Sequence, residues 1–503
     1  MSCRRILLAV LAALALTTGC NDQPGTDINM DEPDLDMSVG DTSPDTDAQQ
    51  MQPDAADTPD SDSGLEADVP VDPNAIVFRY EPDGEDFYRM PWPSDGRTTP
   101  GGAPDLSDFP GRVGTLDIYL DAVEKVGGFA TMPVAYFGMT QALEEGLFPE
   151  PLASLETSSP VQLIDLSQTG CGTRLPLTMV QNTEGDMYHD LHTLQISNAV
   201  GTILEPGRPY AFVILKTFGD PAGQHTPRPE AFDTALNTQA HLQPLRECAP
   251  GADLDLDQVA VATVFTTQDP LFEMQALRDF VMNEDKVETR PLVRWGFSEA
   301  WSRKGSNLTT YEGTVMMPIF QDGASPYTNE GGALVFDESG EPVIQRWEEV
   351  DIAVAWRVFE PGVSGPRPVL VFEDGTGWEP WNHLRSNWIN AALNAGFVVA
   401  SFMPQFHGGR AGFSGSTEIS TYNLVNPQAA RGNFRQQAAE ASYFLRLLRE
   451  QVSALEGPPD MDPDRVVYGG QSQGAMCGSI LAAVEDQYLA YALNGLSTFF
   501  TLT

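Results

Sequence analysis

The residue types and spacing that most clearly predict chemistry lie around Ser472, the middle residue of Gly-Gln-Ser-Gln-Gly at residues 470–474. A serine at a sharp turn between a strand and a helix can act as a nucleophile, because the turn exposes its hydroxyl group. Such a turn leaves no room for side chains two residues before and two residues after the serine, and both places hold glycine, Gly470 and Gly474. The spacing therefore predicts a nucleophile elbow with Ser472 at its tip.

The residues on either side of the pentapeptide fit this interpretation. Residues 466–468 are Val-Val-Tyr, typical of a buried strand, and residues 475–484 are mostly apolar helix formers. The pentapeptide pattern arises by chance about 0.2 times in a chain of this composition, so the flanking residues carry the prediction. The alternative is an ordinary glycine-rich turn.

The second half of the chain alternates predicted strands and helices. Strands are expected at residues 310–320, 350–359, 368–372, 397–402, 466–468 and 488–493, and helices at residues 381–394, 434–455 and 475–484. Alternation of this kind predicts an α/β fold with a doubly wound, mostly parallel sheet. Within residues 350–359 polar and apolar side chains alternate, which is typical of an antiparallel strand with one face in water.

Three loops are expected to meet at one edge of this sheet, since the carboxyl ends of parallel strands lie together and ligands bind there. The first loop holds residues 373–377, Glu-Asp-Gly-Thr-Gly. The second holds residues 404–410 with His407, and the third is the turn at Ser472. The candidate site is therefore predicted at this edge.

On these motifs, residues 350–503 resemble the α/β-hydrolase superfamily, and more closely bacterial lipoprotein lipases and esterases with a β-rich, Ig-like N-terminal region. The resemblance implies that Ser472 is the nucleophile and that the backbone amide of Gln473 donates to the oxyanion. Residues 374–377 match the position of the family's His-Gly-x-Gly loop, with Asp374 in place of histidine, which implies the amide of Thr376 as second donor. One oxyanion donor is typically worth about 3 kcal/mol of transition-state stabilisation. No cofactor and no metal is implied.

The general base is the difficulty in this interpretation. In the superfamily the catalytic acid and histidine follow the serine in the chain, whereas here no histidine follows Ser472 and the last one is His407. The acids that do follow, Glu485 and Asp486, are expected to close the helix after the serine.

Three interpretations are open. The 503-residue chain is expected, first, to be a fragment of a longer enzyme, C-terminally incomplete and inactive alone. Second, His407 is the base, although its loop resembles a family segment that shapes the pocket. Third, the protein is a non-catalytic surface lipoprotein that acts as a binding or structural module.

The first twenty residues predict export. Two arginines precede an apolar run too short to span a membrane, and Thr-Thr-Gly-Cys follows at residues 17–20. This tetrapeptide resembles the lipobox of bacterial lipoproteins, with Thr17 where the family has leucine, and implies a lipid on Cys20. The membrane is then a partner through Cys20, and the expected location is the cell envelope, at the outer membrane or cell surface. An ordinary secretory signal peptide is the alternative.

Composition narrows the remaining possibilities. The chain has 28 basic and 71 acidic residues and a net charge of −43, which argues against nucleic acid as a partner.

Residues 21–74 contain no Lys or Arg and are rich in Asp, Pro, Thr and Ser, which predicts a disordered acidic tether. Residues 75–285 show short β runs broken by Pro, Gly and Asp, which predicts a β-sandwich-like domain. There Cys171 and Cys248 can pair as a disulfide in an oxidising compartment.

The sequence thus predicts four regions: a lipoprotein signal peptide (1–20), a tether (21–74), a β-rich Ig-like domain (75–285) and an α/β-hydrolase domain (286–503). The expected function is that of a secreted, lipid-anchored serine ester hydrolase, lipase-like or esterase-like. It would act on an ester or lipid substrate through an acyl-enzyme.

Overall fold

The computed structural model describes residues 75–143, 145–219, 226–302, 307–358 and 365–496. The predicted signal peptide, the predicted tether and Cys20 lie outside the described residues. Residues 75–503 form one compact unit. None of the helices in the described ranges is both long and apolar enough to cross a membrane.

The described residues form three sheets and a set of helices. The strands are β1 (Val134–Gly138), β2 (Val161–Asp165), β3 (Arg174–Leu175), β4 (Leu177–Asn182), β5 (Thr193–Asn198), β6 (Pro209–Leu215), β7 (Val259–Thr266), β8 (Arg294–Phe297), β9 (Leu308–Ile319), β10 (Arg346–Arg357), β11 (Arg367–Glu373), β12 (Val398–Phe402), β13 (Met461–Gln471) and β14 (Tyr491–Asn494). The α-helices are α1 (Thr115–Val123), α2 (Glu230–Thr238), α3 (Gln243–Cys248), α4 (Phe272–Met282), α5 (Asn387–Asn394), α6 (Thr417–Tyr422), α7 (Pro427–Glu450) and α8 (Gln473–Ala482).

The first part of the compact unit contains two small antiparallel sheets, ordered β1-β5-β4 and β3-β2-β6-β7. Both sheets contribute buried side chains to one core, with Phe137 and Ile196 from the first and Leu163 and Phe212 from the second. A disulfide joins Cys171 to Cys248, whose Cα atoms are 5.6 Å apart. Two sheets around a shared core are the arrangement of a sandwich, and the likeness to Ig modules stays a prediction.

The second part is built on a seven-stranded sheet in the order β14-β13-β11-β12-β10-β9-β8. Strands β14, β13, β11 and β12 pair in parallel, whereas β12, β10, β9 and β8 pair antiparallel. The sheet is therefore mixed, and the antiparallel pairing expected for residues 350–359 is confirmed. The prediction of a mostly parallel sheet is wrong for the sheet as a whole, because β8, β9 and β10 all pair antiparallel. Those three strands follow one another along the chain, so they pair as neighbours without the long crossover that parallel pairing needs.

The predicted wet face of β10 is wrong beyond Asp351. Glu349 is exposed and Asp351 partly exposed, but residues 352–356 are all buried, including Ala353 at 2% exposure and Ala355 at 1%. The alternation over residues 352–356 is therefore one of large and small side chains in a buried part of the strand.

Helix α7 begins earlier than the sequence interpretation expected. It starts at Pro427, and the side chain of Asn426 caps it by accepting the backbone N–H of Ala429. Proline suits the first helical position, because its missing N–H would have no partner there. The helix contacts α4 and α8 and buries Gln436 and Gln437 between them and the sheet.

The two parts have separate cores, drawn from residues 78–265 and residues 274–488. Both belong to the same compact unit. The predicted domain boundary at residue 285 stays a prediction.

Candidate active site

Ser472 lies at the turn between β13 and α8, in a strained backbone conformation with φ 50° and ψ −111°. A residue other than glycine with such a φ costs on the order of 1–3 kcal/mol and persists only where the surroundings hold it. Here the Ser472 N–H donates to the carbonyl of Asn494 at 2.9 Å, and the Ser472 carbonyl accepts from the N–H of Met476 at 3.0 Å. The turn holds the serine half-buried at the carboxyl end of β13.

The glycines on either side are required by close backbone contacts. A Cβ atom at Gly470 would lie 2.4 Å from the carbonyl oxygen of Gly474. A Cβ atom at Gly474 would lie 2.2 Å from the carbonyl oxygen of Glu373, at the end of β11. Larger residues cannot occupy either position without moving the backbone, which is the constraint that the pentapeptide spacing predicts.

The loop after β11, residues 374–377, runs directly over the serine. A Cβ atom at Gly375 would lie 3.3 Å from the Cβ of Ser472. The N–H of Gly474 donates to the Asp374 carbonyl at 3.2 Å, which ties this loop to the start of α8. The Asp374 carboxylate accepts the N–H of Gly375 at 2.8 Å, and burial raises the pKa of the Asp374 carboxyl group.

Two backbone amides in this region have no hydrogen-bond partner among the described residues, those of Thr376 and Gln473. Their neighbours Gly375, Gly377 and Gly474 all donate their amides to protein acceptors. The two amides without a partner are the pair that the sequence resemblance implies as oxyanion donors. Free N–H groups beside a nucleophile can bind the negative oxygen of a tetrahedral intermediate.

His407 lies at this site but does not contact the serine hydroxyl. Its Nε2 accepts the N–H of Gly377 at 2.9 Å, and its Nδ1–H donates to the carbonyl of Gln405 at 2.7 Å. Burial lowers the pKa of the His407 ring, so the neutral form is favoured. The bond to Gly377 holds the loop at residues 374–377 in place; we call it the oxyanion loop, after the role that the resemblance implies for it. Because both ring nitrogens of His407 are engaged, the ring cannot take a proton from Ser472 in this arrangement.

The remaining candidates for the base and the acid are also engaged elsewhere. His383 is buried against Ser401 Oγ at 3.3 Å, and burial lowers its pKa to about 3. Glu485 and Asp486 both pair with Arg278 of α4, at 3.3 and 2.5 Å. Within the described ranges the Ser472 hydroxyl has no hydrogen-bond partner, so the site places a strained serine beside two free backbone amides with no histidine or carboxylate in hydrogen-bond contact with the serine.

A chain of side-chain hydrogen bonds, which we call the amide relay, lies beneath the oxyanion loop. Tyr422 Oη is 3.2 Å from Thr376 Oγ1, and Thr376 Oγ1 donates to Gln473 Oε1 at 2.8 Å. Gln473 Nε2 then donates to Gln437 Oε1 at 2.8 Å, and Gln437 Nε2 donates to Glu373 Oε2. The sequence interpretation missed Gln437 and Tyr422. The signal available was a run of polar residues, Asn433, Gln436, Gln437 and Glu440, among the apolar residues that α7 buries.

Glu373 at the end of the relay is a fully buried carboxyl group. Burial raises its pKa to about 8, and the charge of Glu440 acts in the same direction. Its Oε1 has no partner among the described residues. The neutral form is therefore favoured at neutral pH.

No protein-family model and no curated protein matches the chain. Several solved structures align with part of it, among them esterases and other hydrolases. They include acetyl xylan esterase 1 from Thermoanaerobacterium sp., at 17% identity over 44% of this chain and 55% of that chain, with a TM-score of 0.26. An acetyl xylan esterase from Paenibacillus sp. shows 13% identity over 44% of this chain and 58% of that chain, with a TM-score of 0.27.

A glucuronoyl esterase from Teredinibacter turnerae shows 13% identity over 40% of this chain and 45% of that chain, with a TM-score of 0.24. The chain thus spans about half the length of each of these three esterases. At TM-scores this low the likenesses assign neither an activity nor a substrate.

Proposed function

We propose that this protein is a serine ester hydrolase of the α/β-hydrolase superfamily. The observation that carries the proposal is the strained turn at Ser472 beside the two unpaired amides of Gln473 and Thr376. A nucleophilic hydroxyl next to preorganised N–H donors is the arrangement that acyl transfer needs.

In the proposed reaction, Ser472 Oγ attacks the ester carbonyl carbon and the carbonyl oxygen becomes an oxyanion bound by the amides of Gln473 and Thr376. The tetrahedral intermediate collapses, its C–O bond to the alkoxide breaks, the alkoxide leaves as the alcohol by taking up the proton that Ser472 gave to the base, and the acyl group stays on Ser472. Water then attacks this acyl-enzyme and releases the carboxylic acid. A base must accept the Ser472 proton, and among the described residues no histidine lies in hydrogen-bond contact with it.

We also propose that the protein is exported and anchored to the cell envelope through a lipid on Cys20. The lipobox-like residues 17–20 support this. The bond between Cys171 and Cys248 is a further support, because disulfides persist in oxidising compartments outside the cytoplasm. Labelling with radioactive palmitate tests the anchor: incorporation into the wild-type protein and none into Cys20→Ala is expected. Equal labelling of both would reject it.

The hydrolase proposal is tested by turnover of p-nitrophenyl esters of graded acyl length. The wild-type protein and Ser472→Ala should be compared. Turnover by the wild type that Ser472→Ala abolishes is expected. No turnover of any of these esters, or turnover that Ser472→Ala leaves unchanged, would reject the proposal.

A non-catalytic binding module is the second candidate function. It is favoured by one observation, the engagement of both His407 ring nitrogens beside a serine without a base in the described ranges. Tight binding of an ester or lipid by the complete protein, with no turnover and no effect of Ser472→Ala, would support it over the hydrolase.

A further inference from the structure

The two oxyanion amides belong to different elements of the fold. Thr376 lies in the loop after β11, and Gln473 is the first residue of α8. Their separation therefore depends on contacts between the loop and the helix. A direct link exists, because the Thr376 hydroxyl donates to the Gln473 side-chain carbonyl at 2.8 Å. The two residues whose backbone amides would hold the oxyanion are thus joined by their own side chains.

Gln437 fixes the orientation of the Gln473 side chain. A glutamine amide can rotate so that its oxygen and nitrogen exchange places, and only one orientation accepts the Thr376 proton. Gln473 Nε2 donates to Gln437 Oε1 at 2.8 Å, which directs Gln473 Oε1 toward Thr376. Gln437 and Gln473 are 3% and 2% exposed, so water cannot readily replace this contact.

The relay closes on the strand from which the oxyanion loop departs. Gln437 Nε2 donates to Glu373, the last residue of β11, and the loop begins at the next residue. The relay therefore forms a closed ring. The backbone connects Glu373 to Thr376, and hydrogen bonds connect Thr376 to Gln473, Gln473 to Gln437 and Gln437 back to Glu373. The Thr376 hydroxyl also contacts Tyr422 of α6. Because this hydroxyl gives its proton to Gln473, its oxygen accepts from the Tyr422 hydroxyl.

We propose that Gln437 is a positioning residue of the oxyanion hole, holding the amides of Thr376 and Gln473 at the spacing that one oxyanion requires. This inference rests on the proposed hydrolase function. Gln437 touches neither the serine nor the substrate and acts through Gln473. The spacing matters because oxyanion donors must lie within about 2.7–3.1 Å of the developing charge, and misplacement by about 1 Å can cost about 100-fold in rate.

The test compares Gln437→Met with Gln436→Met in the product of the complete reading frame. Both residues are buried glutamines on α7. Gln436 forms its hydrogen bonds outside the relay: it accepts from the N–H of Phe320 and donates to the carbonyl of Pro318, each at 2.9 Å, and donates to Glu440 Oε1 at 3.0 Å. Each change removes a buried amide of the same size, so the two variants should lose similar stability.

Their kinetics should differ. In Gln437→Met, kcat for p-nitrophenyl esters should fall about 10-fold or more while KM changes by less than about 2-fold, because the missing contact matters in the transition state. The affinity for a boronic acid transition-state analogue should fall in parallel. Gln436→Met should keep both values. Equal kcat losses in the two variants, or none in either, would overturn the inference.

A second pair of variants guards against misfolding. Thr376→Val removes the hydroxyl that starts the link but keeps the backbone amide, whereas Thr376→Ser keeps both. The expected result is a kcat loss in Thr376→Val that Thr376→Ser largely recovers. Equal activity of these two variants would also overturn the inference. If the wild-type protein shows no Ser472-dependent turnover, the proposed function and this inference fall together; turnover without sensitivity to Gln437 rejects the inference alone.

Discussion

Two buried carboxyl groups, Glu440 on helix α7 and Glu373 beside that helix, hold two loops of the candidate site by opposite means. Glu440 binds Arg410 through two hydrogen bonds of 2.7 and 2.8 Å, and this ion pair anchors the loop that carries His407. Glu373 forms no ion pair with any described residue and is held by the amide of Gln437. An unpaired buried carboxyl group becomes neutral, whereas a paired one stays charged.

The two carboxyl groups differ in charge because the two loops that they hold have different surroundings. The relay that ends at Glu373 holds the amides of Thr376 and Gln473, where negative charge is expected to develop. A buried anion there would oppose that charge, because few water molecules screen it. A neutral glutamic acid linked by neutral amides avoids this repulsion. The ion pair of Arg410 with Glu440 holds the backbone of a neighbouring loop, where its charges cancel each other.

The largest effect is expected from breaking the ion pair. Arg410→Met leaves Glu440 buried without its cation, while Glu348 keeps Arg346. The side chains of Arg410 and Glu440 are 1% and 0% exposed. The free energy of unfolding should fall by about 3–5 kcal/mol, measured by urea denaturation. The exposed pair of Lys286 with Glu341 supplies the control, since Lys286→Met should cost less than about 1 kcal/mol. Similar losses in both variants would contradict the comparison.

The neutral state of Glu373 predicts a pH dependence of stability. The pKa of Glu373 is raised from 4.5 to about 8 in the folded protein, so the folded state keeps a proton that the unfolded state loses as pH rises. This contribution is present at low pH and is lost as pH rises through the folded pKa, at up to about 1.4 kcal/mol per pH unit. Glu373→Gln has no such proton. The free energy of unfolding of Glu373→Gln relative to wild type should therefore increase by up to about 3 kcal/mol between pH 5 and pH 7. A difference that does not change with pH would show that Glu373 is ionised in the folded protein.

A smaller effect is expected where the elbow meets β11. Gly474→Ala places a Cβ atom against the carbonyl oxygen of Glu373 and should cost about 2 kcal/mol, measured as a lower Tm, together with loss of Ser472-dependent turnover. Gly296→Ala is the matched control, because a Cβ atom at Gly296 has no atom within 4 Å. Full activity in Gly474→Ala would mean that the turn tolerates a side chain.

The sequence was most informative where local geometry leaves one solution. The glycines at 470 and 474 predict the turn at Ser472: a Cβ atom at Gly470 would meet Gly474 within the same turn, whereas the contact of Gly474 with Glu373 on β11 adds a tertiary constraint at the same position. It was less informative where packing decides. The wet face assigned to β10 failed beyond Asp351, because the packing over Ala353 and Ala355 could not be known from the strand's own pattern. The start of α7 was missed although Asn426 and Pro427 form a recognisable cap.

The relay was the least predictable feature. Gln437 meets Gln473 across 36 residues and Glu373 across 64 residues of sequence, and no local pattern links them. The placement of His407 shows the same limit. Its position on the rim could be predicted, but not that its Nε2 accepts the Gly377 amide.

The central claim is that Ser472 carries the acyl group, and acid-quench mass spectrometry tests it most directly. The product of the complete reading frame, mixed with a p-nitrophenyl ester and quenched within milliseconds, should yield a peptide acylated at Ser472. The Ser472→Ala variant should yield no acylated peptide. Ester turnover that proceeds equally in both proteins, or an acyl group on another residue, would contradict the account.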